Sequence, residues 1–428
     1  MTHDEGRGRA PLRQQRPGHG GMTAMARPLA RLLAWLAALL CGPALAADGG
    51  PLRIGVITDM SGQYSDGNGP GSVQAVRFAV EDFGGAVSGR PIEIVVADHQ
   101  NKPDIAGAIV RKWLDQDGVD VVVEGVNSTV ALAVQGVTRE RGKIFLISGG
   151  GSSDLTGKEC SPTSVHWTYD TYASSNATAK AVLRLGGSSW FFLTADYAFG
   201  QALQRDATRT ITAQGGTVVG SVRHPFGTTD YSAYLVQAAT SSAKVVAFAN
   251  AGSDFANAAK QSVEFGLQQS GKQLVALQVT LTDVPALGLR AVQGMLFTDS
   301  WYWDLNEKTR AFGQRFFKLR GAMPTAYQAG IGSAVSHYLK AVHDAGTTEA
   351  KAVMARMRAM PVEDFFTPHG VIRPDGRMVH EMYLMRFKRP EDSTGKWDLY
   401  QLMATIPGDE AFRPMAEGGC PFVAEAAK

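Results

Sequence analysis

From residue 52 the chain alternates short apolar runs with amphipathic segments, a rhythm that predicts strands and helices in succession. Residues 52–58 read as an apolar strand, followed by a polar and Gly-rich turn. A helix is expected over 72–83, with Val73, Val76, Phe78, Ala79 and Val80 on or near one face. A strand over 92–97 comes next, and then a helix with Pro103 near its first position, where a missing N–H costs nothing. Two further apolar strands, 119–124 and 145–147, each end in a loop rich in Ser, Thr, Asn or Gly, with a helix-like segment between them. Strand, helix, strand with short polar turns is the pattern of right-handed βαβ units on a parallel sheet.

The rhythm pauses over 156–172, a loop-like segment holding Cys160 and Pro162, and then restarts. Helices are expected at 176–185, 200–214, 231–240 and 254–265, and strands at 190–193, 217–222, 245–249, 274–277 and 294–298. Two runs of βα units separated by a pause predict an α/β protein of two doubly wound lobes. Trp301, Tyr302 and Trp303 follow, read as hinge or core packing. Helices at 309–319, 325–345 and 348–360 suit packing on the first lobe, and 381–387 with 397–402 read as a closing hairpin.

The N-terminus changes the picture of charge. Arg27 and Arg31 precede a short apolar run, 32–40, which ends at an Ala-x-Ala site, so residues 1–46 read as a secretory signal peptide cleaved after Ala46. The run is far short of the ~20 residues of a membrane span. Residues before Met22 look like an upstream extension, with Met22 or Met25 as alternative starts. Leu40 before Cys41 is a poor fit to a lipoprotein site. The segment carries six arginines against Asp4 and Glu5, so its removal takes the formal charge from +2 to −2. Nothing basic remains that would serve as a nucleic-acid footprint. Export also leaves an even pair of cysteines, Cys160 and Cys420, in an oxidising compartment, and they are expected to form a disulfide.

In an open parallel sheet, ligands bind beyond the carboxyl ends of the strands. Helix-start N–H groups and small hydroxyls make such a place receptive to an anion. Ser128 and Thr129 after the first of the two strands, and Gly150, Gly151, Ser152 and Ser153 after the second, are therefore candidates for holding a small carboxylate. Ser128 and Thr129 equally suit a helix N-cap, and the glycines a tight turn. Tyr64, Tyr197 and Phe199 sit in loops after strands and suit an aromatic cleft wall. Asp59, Asp98 and Asp230 read as turn and capping residues. There is no G-x-S-x-G elbow, H-E-x-x-H pair or phosphate loop, and the histidines lack metal-ligand spacing. An enzyme, a cofactor and a metal are not expected.

Several stretches carry a family resemblance: 54–62, Asp98 with Pro103, 147–150, 197–200, 230–232 and 294–296. In this order and spacing the chain resembles the type I periplasmic solute-binding proteins of ABC importers, in the branched-chain amino acid (Leu/Ile/Val) receptor group. The resemblance implies two Rossmann-like lobes joined by a three-crossover hinge, with the ligand in the cleft and closure about the hinge. It places lobe 1 at 47–170 and 300–376, lobe 2 at 171–299 and 377–406, and a tail at 407–428. It implies a periplasmic monomer with a permease and ATPases of the inner membrane as partners. Docking on a membrane signalling protein instead of a permease would leave the same fold and site. Carried over by position, Ser128 and Thr129 and the Gly150–Ser153 loop hold the ligand carboxylate, Phe199 is the aromatic of the second lobe, and Asn250 and Asp254 bracket the next site loop. The acid that pairs with the ligand ammonium falls at Gln278. An ammonium closed into a cleft without a charged partner carries a large desolvation cost. That departure favours a carboxylate without an α-amine, such as an aromatic acid, although Asp254 could restore the charge.

Overall fold

The computed structural model describes residues 50–423; the signal peptide assigned to 1–46 lies outside them. The first sheet holds β1 (Leu52–Thr58), β2 (Ala86–Val87), β3 (Arg90–Asp98), β4 (Val121–Glu124), β5 (Ile144–Ile147) and β6 (Ser164–His166) in the order β2-β3-β1-β4-β5-β6. All neighbours are parallel except the short β2 hairpinned onto β3. β4 and β5 are buried along their whole length. Their continuous apolar runs are the mark of parallel strands covered by helices on both faces. The covering helices include α1 (Gly69–Asp82), α2 (Pro103–Asp115) and α3 (Ser128–Glu140).

A second parallel sheet, β10-β9-β7-β8, is built from β7 (Ser189–Ala195), β8 (Thr217–His224), β9 (Val245–Ala249) and β10 (Gln273–Ala276). Around it lie α4 (Thr171–Arg184), α5 (Ala198–Ala213), α6 (Ser232–Thr240) and α7 (Ser253–Glu264). Two differences from the sequence pattern stand out. The segment expected to be loop-like contributes the edge strand β6, which is too short to show a period. The strand expected at 294–298 forms as β11 (Leu296–Asp299) but leaves the parallel sheet. It pairs antiparallel with β14 (Met382–Phe387), which pairs in turn with β15 (Tyr400–Ile406). Between these strands come β12 (Val371–Ile372) and β13 (Met378–Val379), a small antiparallel pair.

Three crossovers join the two halves. Trp301 belongs to the core of the first sheet while Tyr302, its neighbour, belongs to the core of the second. The other two crossovers run side by side: His166 N–H donates to Gly376 O at 2.8 Å, and His380 Nε2 lies 2.6 Å from Thr168 O. The helix Ala326–Ala345 packs on α1, opened by a Thr325/Gln328 capping box and closed by Gly346 at φ 64°. The turn readings of the acids hold. Asp59 accepts the N–H groups of Gly62 and Tyr64, Asp98 that of Gln100, and Asp230 that of Ser232.

Cys160 and Cys420 form the disulfide, tying the C-terminal tail to the loop after β5. The tail is also held by Arg413, which donates to Ser153 O, and by the Arg209–Glu417 ion pair. Serine at both cysteines should therefore cost only about 2 kcal/mol, the low end of the usual range for a disulfide. A fall in the urea midpoint at constant slope would show it; an unchanged midpoint would mean that these other contacts hold the tail unaided. Among the described residues, no helix is long and apolar enough to cross a membrane.

Candidate functional site

The carboxyl ends of β1, β4 and β5 face those of β7, β9 and β10, and their loops line a cavity between the lobes. The first lobe supplies Tyr64, Asn68, Ser128 and Gly149; the second supplies Tyr197, Phe199, Gly252 and Asp283; Tyr169 and Tyr327 stand between. Tyr64 and Tyr197 share a hydrogen bond between their hydroxyls, directly across the cleft. Gln63 makes a second bridge, accepting from Ser253 Oγ at 2.7 Å. The cleft is closed.

Ser128 begins α3, but it does not cap it. Asn127 is the N-cap, with its side chain accepting from Thr129 N at 3.0 Å, so the capping alternative for Ser128 and Thr129 is corrected. Asn127 reaches that position at φ 71°, and its side chain takes the orphan helix-start donor. This frees the Ser128 hydroxyl to accept the backbone N–H of Gly151 at 3.1 Å and of Ser152 at 3.0 Å. A hydroxyl oxygen has two lone pairs. Both are occupied, and its hydrogen remains to be donated.

Two amides of the 150–153 loop are thus turned onto Ser128, and a third, that of Ser153, donates to Thr171 Oγ1 at 3.0 Å, so the loop offers no separate nest. Gly150 packs against α3, where a Cβ would come within 2.5 Å of Ala131 Cβ. At Gly151 a Cβ would meet the Tyr169 hydroxyl at 2.4 Å. Ser152 Oγ accepts from Asp154 N, and Ser153 Oγ donates to the buried Asp206. Of the residues singled out from the sequence, Tyr64, Ser128, Tyr197 and Phe199 line the cavity. Thr129, Gly150, Gly151, Ser152, Ser153, Asn250, Asp254 and Gln278 stand behind its wall.

Those in the second lobe form supporting networks. Gln278 accepts from Ser174 Oγ at 3.0 Å and donates to the Tyr327 hydroxyl at 2.6 Å. Tyr327 in turn stacks on Tyr169 with ring centroids 5.0 Å apart. Asp254 accepts from Tyr231 OH and Gly227 N, each at 3.3 Å, and its carboxyl is pushed up by burial. Asn250 is buried against His224 Nε2 at 3.2 Å.

Asn68, Tyr169, Asp283 and Tyr327 were not anticipated. Asn68 lies in a Gly-rich turn, Tyr169 in the apparent pause, and Tyr327 on a helix whose pattern speaks only of packing. Asp283 follows β10 five residues after Gln278. Its carboxylate accepts the Thr280 N–H at 2.8 Å, and burial pushes its pKa up to about 6. An acid on the second-lobe wall therefore exists, five residues from the position the resemblance marked as empty. Among the described residues no group of three or more His, Cys, Asp or Glu side chains could hold a metal.

Comparison with known proteins agrees with this architecture. The family model described as periplasmic binding protein matches residues 51–396. A periplasmic binding protein from Burkholderia mallei is 46% identical, with a TM-score of 0.85 over 87% of this chain and 99% of its own. A branched-chain amino acid ABC transporter periplasmic ligand-binding protein from Burkholderia xenovorans LB400 is 40% identical, with a TM-score of 0.79 over 87% and 99%. Leu/Ile/Val-binding protein homolog 6 of Brucella melitensis is 26% identical over 251 residues, or 58% of this chain. The match spans 63% of that relative, less than two thirds of its length.

Proposed function

The chain belongs to the periplasmic binding protein family, and on that premise we propose that it is the substrate-binding component of an ABC importer. It captures a small carboxylate with an aromatic or apolar body by closure of the two lobes. It works in the periplasm as a monomer, delivers to permease subunits of the inner membrane, and binds rather than transforms its ligand. The observation that carries this reading is the Ser128 hydroxyl. Both its lone pairs are held by backbone amides, so it presents one oriented O–H donor at the start of a helix, where negative charge is favoured. Around it, Tyr64, Tyr169, Phe199 and Tyr327 offer ring faces, which supply large apolar area at low entropy cost.

A thermal-shift panel of benzoates, phenylacetates and amino acids on ligand-stripped protein tests the ligand class. A ligand at a thousand times its Kd adds about 4 kcal/mol of stability, so a true ligand stands well clear of the rest. Stabilisation by Leu or Val alone would sink the aromatic-acid reading.

A second reading, an amino acid ligand, is favoured by Asp283 on the cavity wall. The two separate by pH. Asp283 in the free protein loses its charge as pH falls through about 6, so a ligand ammonium paired with it loses affinity from pH 7 to pH 5. A carboxylate without an amine shows no such loss from this group.

A further inference from the structure

Asn68 and Gly149 line the cavity, and with Asn68 the layer just behind Gly149 contains polar atoms without a protein partner. Glu124, the last residue of β4, is 0% exposed, and neither carboxyl oxygen is hydrogen-bonded. Asn68 Oδ1 is buried and unpartnered beside it, and the Ser72 hydroxyl lies close enough to favour the charged form without a well-formed hydrogen bond. The Asn68 amide is oriented by Nδ2, which donates to Tyr64 O at 3.5 Å, so its oxygen is the atom left over. A Cβ on Gly149 would lie 2.4 Å from Asn68 Oδ1 and 2.9 Å from Glu124 Oε1. Both oxygens therefore pack closely against Gly149, where any side chain would be excluded.

The backbone there is strained as well. Glu124 has φ 87° and Asn127 φ 71°, a region that non-glycine residues rarely occupy. Strain of this kind costs on the order of 1–3 kcal/mol per residue and clusters at ligand clamps. Each unpaired buried acceptor costs roughly 1–3 kcal/mol more. A site that concentrates such costs within one wall of a binding cavity is built for a group that arrives from outside.

We propose that Glu124 and Asn68 form a specificity subsite that receives a hydrogen-bond donor, an amine or hydroxyl, carried by the carboxylate ligand. The inference rests on the carboxylate-receptor reading and adds a second polar anchor opposite in character to Ser128. Ser128 donates; here Asn68 Oδ1 and the carbonyl oxygen of the neutral Glu124 carboxyl accept, the carboxyl O–H being left to the Ser72 hydroxyl. Burial pushes the Glu124 carboxyl up to about 8, against a smaller opposing effect of the Ser72 hydroxyl. At neutral pH it is therefore mostly uncharged, and an anionic ligand can share the cavity without facing a second negative charge.

The test compares matched pairs by calorimetry on protein stripped by unfolding and refolding: 3- and 4-hydroxybenzoate and 4-aminobenzoate against benzoate, and leucine against 4-methylpentanoate. Wild type should prefer a donor-bearing member by about tenfold, the worth of one buried hydrogen bond. In Glu124→Leu that preference should collapse to within about threefold, and in Asn68→Ala it should shrink. Ligand-free Glu124→Leu should melt no lower than wild type, because it loses an unpartnered buried carboxyl. A preference that survives in Glu124→Leu overturns the inference and leaves the receptor reading standing. So does an equal loss for all ligands together with a lower melting temperature, which marks a structural role. If no carboxylate binds wild type at all, the receptor reading fails and the subsite falls with it.

Discussion

Replacing Ser128 with alanine is expected to weaken binding of the best carboxylate by roughly 100-fold. A hydrogen bond to a charged group is worth about 1.5–3 kcal/mol, and each 1.4 kcal/mol is a factor of ten. The loss has a second source. The Gly151 and Ser152 amides, both buried, lose their common acceptor, and the loop that carries Gly149 loses the tie that sets its height against α3. Ser128→Thr keeps an oxygen at that place and should recover a large part of the affinity, unless its extra methyl crowds the cavity. Calorimetry with the best ligand of the thermal-shift panel measures both. Unchanged affinity in the alanine variant would remove Ser128 from the carboxylate site and with it the main support for the proposed function.

Arg377→Ala should be the most destabilising single change in the hinge, by about 3–5 kcal/mol, the usual cost of removing one member of a buried ion pair. The Arg377 side chain is fully buried. Its Nη1 donates to Tyr169 O at 2.8 Å and lies 3.6 Å from Asp170, while Nε donates to Met378 O at 3.0 Å. Its guanidinium also sits 4.6 Å above the Phe412 ring. One side chain therefore links two crossovers and the base of the tail. Alanine leaves the Asp170 carboxylate buried without its cation and the Tyr169 carbonyl without its donor. Chemical denaturation should show the loss. Because Tyr169 stands on the cavity wall, ligand affinity should fall as well, which the disulfide variant would not cause. A loss below about 1 kcal/mol would mean that the guanidinium is dispensable to the hinge.

The α/β alternation was legible because a buried parallel strand and a one-sided helix differ in hydrophobic period, and that difference survives without any tertiary information. It located Ser128 and Phe199, which follow directly on strand ends. It failed where an element is too short to show a period, as at β6. It also could not say with which partner β11 would pair, since that choice depends on β14, some eighty residues later. The disulfide was legible for a different reason: export leaves two cysteines, and two cysteines allow one pairing.

The polar half of the site was hidden because the direction of a side chain is decided by what packs around it. Glu124 reads as the end of an apolar strand; only the turn at φ 87° and the bare Gly149 bring its carboxyl up behind the cavity wall. The oxygens of Ser152 and Ser153 look like ligand groups in sequence, yet their bonds go to Asp154 and Asp206. Local periodicity by itself determined most of the elements, their order and two doubly wound lobes, because a buried strand and a one-sided helix carry their period in the chain; the binding protein with a ligand cleft between the lobes was implied by the family resemblance. Which hydroxyl keeps a free hydrogen, which carboxyl is left without a partner and which rings meet across the cleft were decided by tertiary contact alone. A hydrogen bond is made between groups that are neighbours in space, and these come from stretches of chain as far apart as Asn68, Gly149 and Tyr327.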